Sequence, residues 1–326
     1  MCTSRVRLVL VVLLAGTSAV PAWAQRVSFE RAFDVSKDAV LDVSTIRGRI
    51  DVSAGEGSRI MVRGTATVRV GITVPANAHA IARGVAANPP VQQEGDTVRL
   101  RPPSGEDQLR AVTISYEVIV PAGTRVTTVS DSGAIAIRDV SGAVSVRTQS
   151  SAIALRDLGG AADVTTGSGA VTAWGVGGNM KVSTESSAIT LRGLGAGLQA
   201  RTQSGAIDAT FRGRGDVDVE TGSSAIDLGG VNGGLAVRSN TGRVRVSGTP
   251  SSPWRVIDGS GRVDLAIERS ARFTLDANSD SSTVVVEGFT LDGRTAKGLA
   301  EGKVGGGGPL VQAATRNGAI RIRAGL

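Results

Sequence analysis

The chemistry-bearing residues of this chain that recur at a fixed spacing are few. Asp208, Asp227, Arg245 and Asp264 follow one another at steps of eighteen or nineteen residues. If the chain stacks with that period, Asp208 and Asp227 stand one strand spacing apart, ~4.8 Å. That is close to the ~5 Å carboxyl separation of retaining glycosidases. The arrangement would suit a carbohydrate-active enzyme acting on acidic polysaccharide. The same four residues also read as a solvent-facing row in which Arg245 offsets the charge of Asp227 and Asp264. A glycosidase further needs a cleft and sugar-stacking aromatics, and only Trp174, Trp254 and a few phenylalanines are on hand.

A second row is Arg138, Arg156, Trp174 and Arg192, each eighteen residues after the last. Spaced guanidinium groups beside an indole suit an anionic glycan or an acidic patch on an envelope protein. In the structural reading, the arginines bond carboxylates or turn carbonyls and Trp174 covers a core edge. Other chemistry finds little material. His79 is the single histidine, and no Gly-x-Ser-x-Gly elbow accompanies it, so a histidine-based triad is not expected. Cys2 is the single cysteine, so zinc is not expected either. Asp139 and Asp157 occupy equivalent turns, but the next equivalents are Gly175 and Gly193, so no ladder of calcium ligands forms. The expected function is non-catalytic, a cell-envelope binding or scaffold module with no cofactor; the alternatives are the carbohydrate-active enzyme and a self-assembling envelope protein, because stacked units with poorly capped ends can polymerise.

Both rows depend on the elements that would align them. An apolar–any–apolar triplet starts at Ile135, Val144, Ile153, Ala162, Val171, Met180, Ile189, Leu198 and Ile207, nine residues apart without a slip. The beat resumes at Val217, Ile226, Leu235 and Val244. It loosens through Trp254, Val263, Phe273 and Val284, then returns at Val311 and Ile320. The full period is eighteen. Serine precedes alternate triplets (Ser132, Ser150, Ser168, Ser186, Ser204), glycine marks the other turns, and Val140, Leu158, Val176 and Leu194 recur only every eighteen residues. Three-residue alternation is a short strand with one buried face, and Gly and Ser turn the chain between strands. The fold class expected is all-β: a parallel β-solenoid (β-helix) of ~18-residue coils with two short strands each. Ile135, Ile153, Val171 and Ile189 then point inward. Ala134, Ala143, Ala152, Ala161, Ala170, Ala188, Ala206 and Ala225, just before a strand, suggest a crowded corner.

The flanks are less regular. Residues 1–24 read as a secretory signal peptide: Arg5 and Arg7, an apolar run from Leu8 to Ala15, then Ala22-Trp23-Ala24. The product would be exported, periplasmic or extracellular at the cell surface, with no later transmembrane segment. Without Arg5 and Arg7, 36 − 2 = 34 basic residues face 29 acidic ones, a net charge of +5. The charges are interspersed, which argues against a nucleic-acid partner. Residues 25–125 read as a β-rich section with an inserted loop or cap, and 126–326 as repeats continuous with it. Within the first section Thr67 to Ile72 and Val112 to Val120 look like strands, and Ala76 to Ala87 like a short helix. Gly288 to Gly308 reads as a loop.

Val118 to Val126 running into the Ser-Gly-Ala-Ile repeats resembles a large family of exported bacterial β-strand-repeat proteins, usually labelled adhesins and otherwise of unknown function. The closing stretch from Gly306 to Ile322 resembles that family's C-terminal signature more specifically. The resemblance spans nearly all of the chain after the leader. It implies a single-chain parallel β-helix, secreted or envelope-associated, and no catalytic residue to carry over.

Overall fold

The computed structural model describes residues 26–69 and 75–325. The expected leader, 1–24, lies outside the described residues, as do positions 70–72 of the strand expected from Thr67. The strand seen there is Arg59–Val68.

The chain is all-β, as expected, with two short helices among the described residues, α1 (Ala78–Ala87) and α2 (Glu106–Ala111). Its strands fall into two hydrogen-bonded rows. Row one runs through Arg125–Ser132, Val144–Thr148, Ala162–Thr166, Met180–Thr184, Leu198–Thr202 and Val217–Ser223. Row two runs through Ile135–Arg138, Ile153–Leu158, Val171–Val176, Ile189–Leu194 and Ile207–Phe211. Every one of these pairings is parallel. The nine-residue beat is therefore the step from one row to the other, and eighteen residues return the chain to the same row one strand spacing on. The strands Ile226–Thr241 and Val244–Ser260 turn the corner without a break and belong to both rows.

Two physical requirements set the pattern within each level. The apolar positions of each triplet must leave water, and they do: Ile135, Ile153, Val171 and Ile189 are buried, as are Val140, Leu158, Val176 and Leu194. The turns must satisfy their own backbone. In row one the position that closes each strand is polar and buried level after level, a hydroxyl at Thr45, Ser130, Thr148, Thr166, Thr184, Thr202, Thr221, Ser239, Thr315 and Ser279 and a carboxyl at Asp258, between Ser239 and Thr315. Several close the turn that follows. Thr166 Oγ1 accepts from Gly169 N–H at 3.1 Å, Thr202 Oγ1 from Gly205 N–H at 3.0 Å, and Ser279 Oγ from Ser282 N–H at 3.1 Å. These are side-chain-to-backbone turns of the kind serine and threonine favour.

The crowded corner lies one residue earlier than the sequence suggested. Ala134, Ala152, Ala170, Ala188 and Ala206 are exposed. The tight positions are Gly169 and Gly205, where a Cβ would sit 1.7 Å from Ser151 O and 1.8 Å from Ser187 O. Stacked turns bring each carbonyl up against the turn above, and glycine leaves it room.

At both ends, order in space departs from order in sequence. The strands Val40–Arg47 and Ile50–Gly55 lie between Arg125–Ser132 and Ile135–Arg138 on one side and Thr97–Leu100 and Val112–Pro121 on the other. At the far end, Leu310–Thr315 and Ile320–Gly325 sit between the level of Trp254 and Val263 and the level of Phe273 and Val284. The first and last repeats are thus each one level in from an end. Beyond them the strands turn antiparallel: Arg59–Val68 against Val112–Pro121, Arg26–Asp34 against Arg59–Val68, Val91–Glu94 against Thr97–Leu100, and Leu299–Val304 against Phe273–Ser279. The segment 288–308, expected to be a loop, is mostly a hairpin of Leu291–Ala296 with Leu299–Val304. Helix α1 lays Ala78, Ala82, Val85 and Ala86 on the N-terminal strands, the i, i+4, i+7, i+8 stripe of an amphipathic helix.

Candidate functional site

The outward face of row two carries both rows of residues singled out above. Arg138, Arg156, Trp174 and Arg192 pair strand to strand on four successive levels. The row continues toward the N-terminal end through Ser53, Ile119 and Met61. Met61, Ile119 and Trp174 are three of the six large hydrophobic side chains left exposed among the described residues.

The cations of this row are unequally available. Arg138 donates to Asp51 at 3.0 Å. Arg192 forms a two-pronged pair with Asp208. That bonding, with the added field of Asp208 and Asp227, holds the Arg192 guanidinium above its ordinary value despite some desolvation. Arg156 makes no ion pair among the described residues. Its guanidinium lies over the Trp174 ring, 5.4 Å from the centroid, a cation–π contact at the surface. The row is aligned as expected, and Arg156, beside Trp174, is its guanidinium without a carboxylate partner among the described residues.

Asp208, Asp227, Arg245 and Asp264 are also aligned on successive levels. Each carboxylate has an arginine partner: Asp208 has Arg192, Asp227 has Arg245 at 2.9 Å, and Asp264 has Arg262 at 2.9 Å. Trp254, counted above as a possible sugar platform, is fully buried, and its Nε1 donates to Gly233 O at 2.9 Å. His79 is exposed on α1. Asp139 and Asp157 have φ of 63° and 51°, matching 66° and 67° at Gly175 and Gly193. The turn demands a left-handed residue, and Asp is among the few side chains that tolerate it. Backbone shape accounts for the choice of aspartate at these turns.

Two features escaped sequence reading. One is the hydroxyl column, although Thr148, Thr166, Thr184 and Thr202 are spaced by eighteen and could have been found by the same count. In that column Asp258 is the single carboxyl. It is 2% exposed, and neither of its oxygens, nor Ser239 Oγ beside it, makes a well-formed hydrogen bond. Desolvation raises its pKa above the usual carboxylate value, only partly countered by Ser239 and the N–H groups of Gly259 and Ser260. The other is a trough of about 1040 Å³ along the start of the row-one strands, from Arg125 to Pro253, across eight successive levels. Its floor is made of small turn residues such as Ala143, Ala161, Gly197 and Gly234. One wall is the polar row Thr127, Ser145, Asp163, Lys181, Gln199 and Asp218.

Comparison with known proteins finds a family match over part of the chain. Residues 178–323 match the model described as Toastrack DUF4097. This bears out the resemblance to a β-strand-repeat family of unknown function. The parallel pairing continues on the N-terminal side of the matched segment, through Val144 and Ile135. No curated protein matches the chain. A solved structure described as a "putative cell adhesion protein" from Clostridium sporogenes ATCC 15579 aligns over 91% of this chain and 99% of that one. The identity is 12% and the TM-score 0.21.

Proposed function

We propose that this chain, whose residues 178–323 match the Toastrack DUF4097 model, is a non-catalytic exported module of the cell envelope. It is built as a β-solenoid with two short strands per coil, and it binds or scaffolds as an adhesin would. The observation that carries the reading is the alignment of Arg138, Arg156, Trp174 and Arg192 on four successive levels of one flat face. Such a face offers repeated contacts to an extended anionic partner, a glycan or an envelope protein, and needs no reacting group. The pairing of Asp208, Asp227 and Asp264 with arginines supports the non-catalytic side, because a general acid must hold a proton rather than a salt bridge.

The test is binding of polygalacturonate to the secreted form. Joint replacement of Arg138, Arg156 and Arg192 by alanine is expected to weaken it at least tenfold, with Arg156→Ala alone giving most of the loss. Unchanged binding in the triple variant would remove this face from consideration. The alternative, a carbohydrate-active enzyme, is favoured by the adjacency of Asp208 and Asp227. Release of reducing ends from acidic polysaccharide, abolished in Asp208→Asn and Asp227→Asn, would establish it in place of the binding reading.

A further inference from the structure

We propose that the trough along row one is a binding site for an extended, uncharged, β-1,4-linked pyranose chain lying parallel to the stack. The inference rests on the binding-module reading but not on the arginine row, which lies on the other row of strands. Three observations carry it.

The first is shape. The trough crosses eight levels, from Arg125 to Pro253, which at ~4.8 Å per level gives a straight run of about 34 Å. Its floor is kept low by its sequence. A Cβ at Gly234 would meet Asp216 Oδ1 at 2.9 Å, and one at Gly197 would meet Asp216 O at 2.8 Å. Asn179 Oδ1 and Asp216 Oδ1 fold back to accept from Gly197 N–H and Gly234 N–H, at 3.1 and 2.9 Å. These side chains are thus held along the floor.

The second is period. The wall repeats one polar side chain on six successive levels, from Thr127 to Asp218, and ends at Ala236. A ligand that meets successive levels equivalently must advance by about that spacing for each monomer. An extended peptide advances ~3.3 Å per residue and falls out of step. An equatorially linked pyranose chain advances by close to one strand spacing per ring and turns alternate rings over, so each ring faces one level and every second level meets the same ring edge.

The third is chemistry. The wall offers hydroxyls at Thr127 and Ser145, carboxylates at Asp163 and Asp218, an amine at Lys181 and an amide at Gln199. Donors and acceptors alternate without a dominant sign, which matches a hydroxyl-rich ligand and disfavours a polyanion. Asp218 is held in place by Arg201 at 3.3 Å and Arg238 at 3.9 Å, so the wall presents it as a fixed, charge-compensated carboxylate.

The experiment is calorimetric titration of the described chain with cellobiose, cellotetraose and cellohexaose, with maltohexaose as the control. Affinity is expected to rise with each added pair of rings, and maltohexaose, whose α-links coil the chain, to bind at least tenfold more weakly than cellohexaose. Ala161→Trp fills the floor from an exposed position and should abolish cellohexaose binding. Asp163→Ala with Gln199→Ala should weaken it about tenfold. Both variants should keep the polygalacturonate binding of the arginine face, which shows that they are folded and separates the two sites. Three results would each overturn the assignment: no cellohexaose binding, affinity independent of length, or binding indifferent to Ala161→Trp. Loss of polygalacturonate binding in Ala161→Trp would instead make the trough a polyanion site. If neither ligand binds the parent chain, the binding-module reading falls with it.

Discussion

The middle of the molecule and its two ends use the same strands under different rules. Between Arg125 and Val246 each strand pairs with the one eighteen or nineteen residues away, so neighbours in space are near in sequence. At the ends the neighbours are distant. Val40 pairs with both Thr97 and Arg125, and Val311 pairs with both Trp254 and Leu275. The middle shows how a repeat is held by its period. The ends show how an array is stopped, for an open row of parallel strands would otherwise invite a second chain. Here the outermost strands are short, charged or antiparallel: Val284–Glu287 has four residues, and Arg26–Asp34 exposes Arg26, Glu30, Arg31 and Asp34.

This contrast can be broken by experiment. The largest effect is expected from ending the chain after Pro309. Removing Leu310–Gly325 strands the level of Phe273 and Val284 without a parallel neighbour, so amide protection should be lost across 254–304 and not only locally. If hydrogen exchange shows protection surviving in 273–304, the inserted repeat is not what holds that end. In the middle, Gly169→Val drives a side chain into Ser151 O. It should cost more than about 3 kcal/mol in urea unfolding, and a near-neutral result would mean the turns are not stacked as closely as described.

Asp258 is where the two regimes meet. Asp258→Thr restores the hydroxyl found at neighbouring levels and should stabilise by roughly 1–3 kcal/mol at neutral pH by removing an unsatisfied buried group. The sign of the pH dependence follows from the raised pKa of the folded state. The protonated carboxyl is favoured by folding, so its stabilisation is fully present below the ordinary carboxylate value and is lost as pH rises through the folded value. The advantage of the threonine variant should therefore shrink on acidification. An advantage that grows toward acid would contradict the buried placement. The smallest effect is at the N-terminal cap: Gly84 is exposed within α1 and an added Cβ meets nothing within 4 Å. Gly84→Ala should stabilise by about 0.5–1 kcal/mol through helix propensity alone, read from the urea midpoint.

The regular middle was legible because burial imposes period two on a strand and stacking imposes period eighteen on the chain, and both survive in the residues. The positions of Val140 and Leu158 and the alignment of Arg156 with Trp174 follow from that count. What the count missed is what it cannot encode. The ends depend on which distant strand fills which gap, and Val311 keeps the beat while sitting between levels laid down before it. The exposed alanines show a second limit. A recurring small residue marks either crowding or indifference, and only the carbonyl above Gly169 distinguishes them. The trough has no motif, because it is a shape made by absent side chains.

The inset position of both terminal repeats separates length from closure. An eighteen-residue unit duplicated within the regular stretch would lengthen the molecule by ~4.8 Å and copy every lateral row once more, while leaving both plugs untouched. The inset levels of Val40 and Val311 have no such outlet, since each is already wedged between two neighbours. Homologues of different size should therefore differ by whole units in the interior and keep the same two clasps.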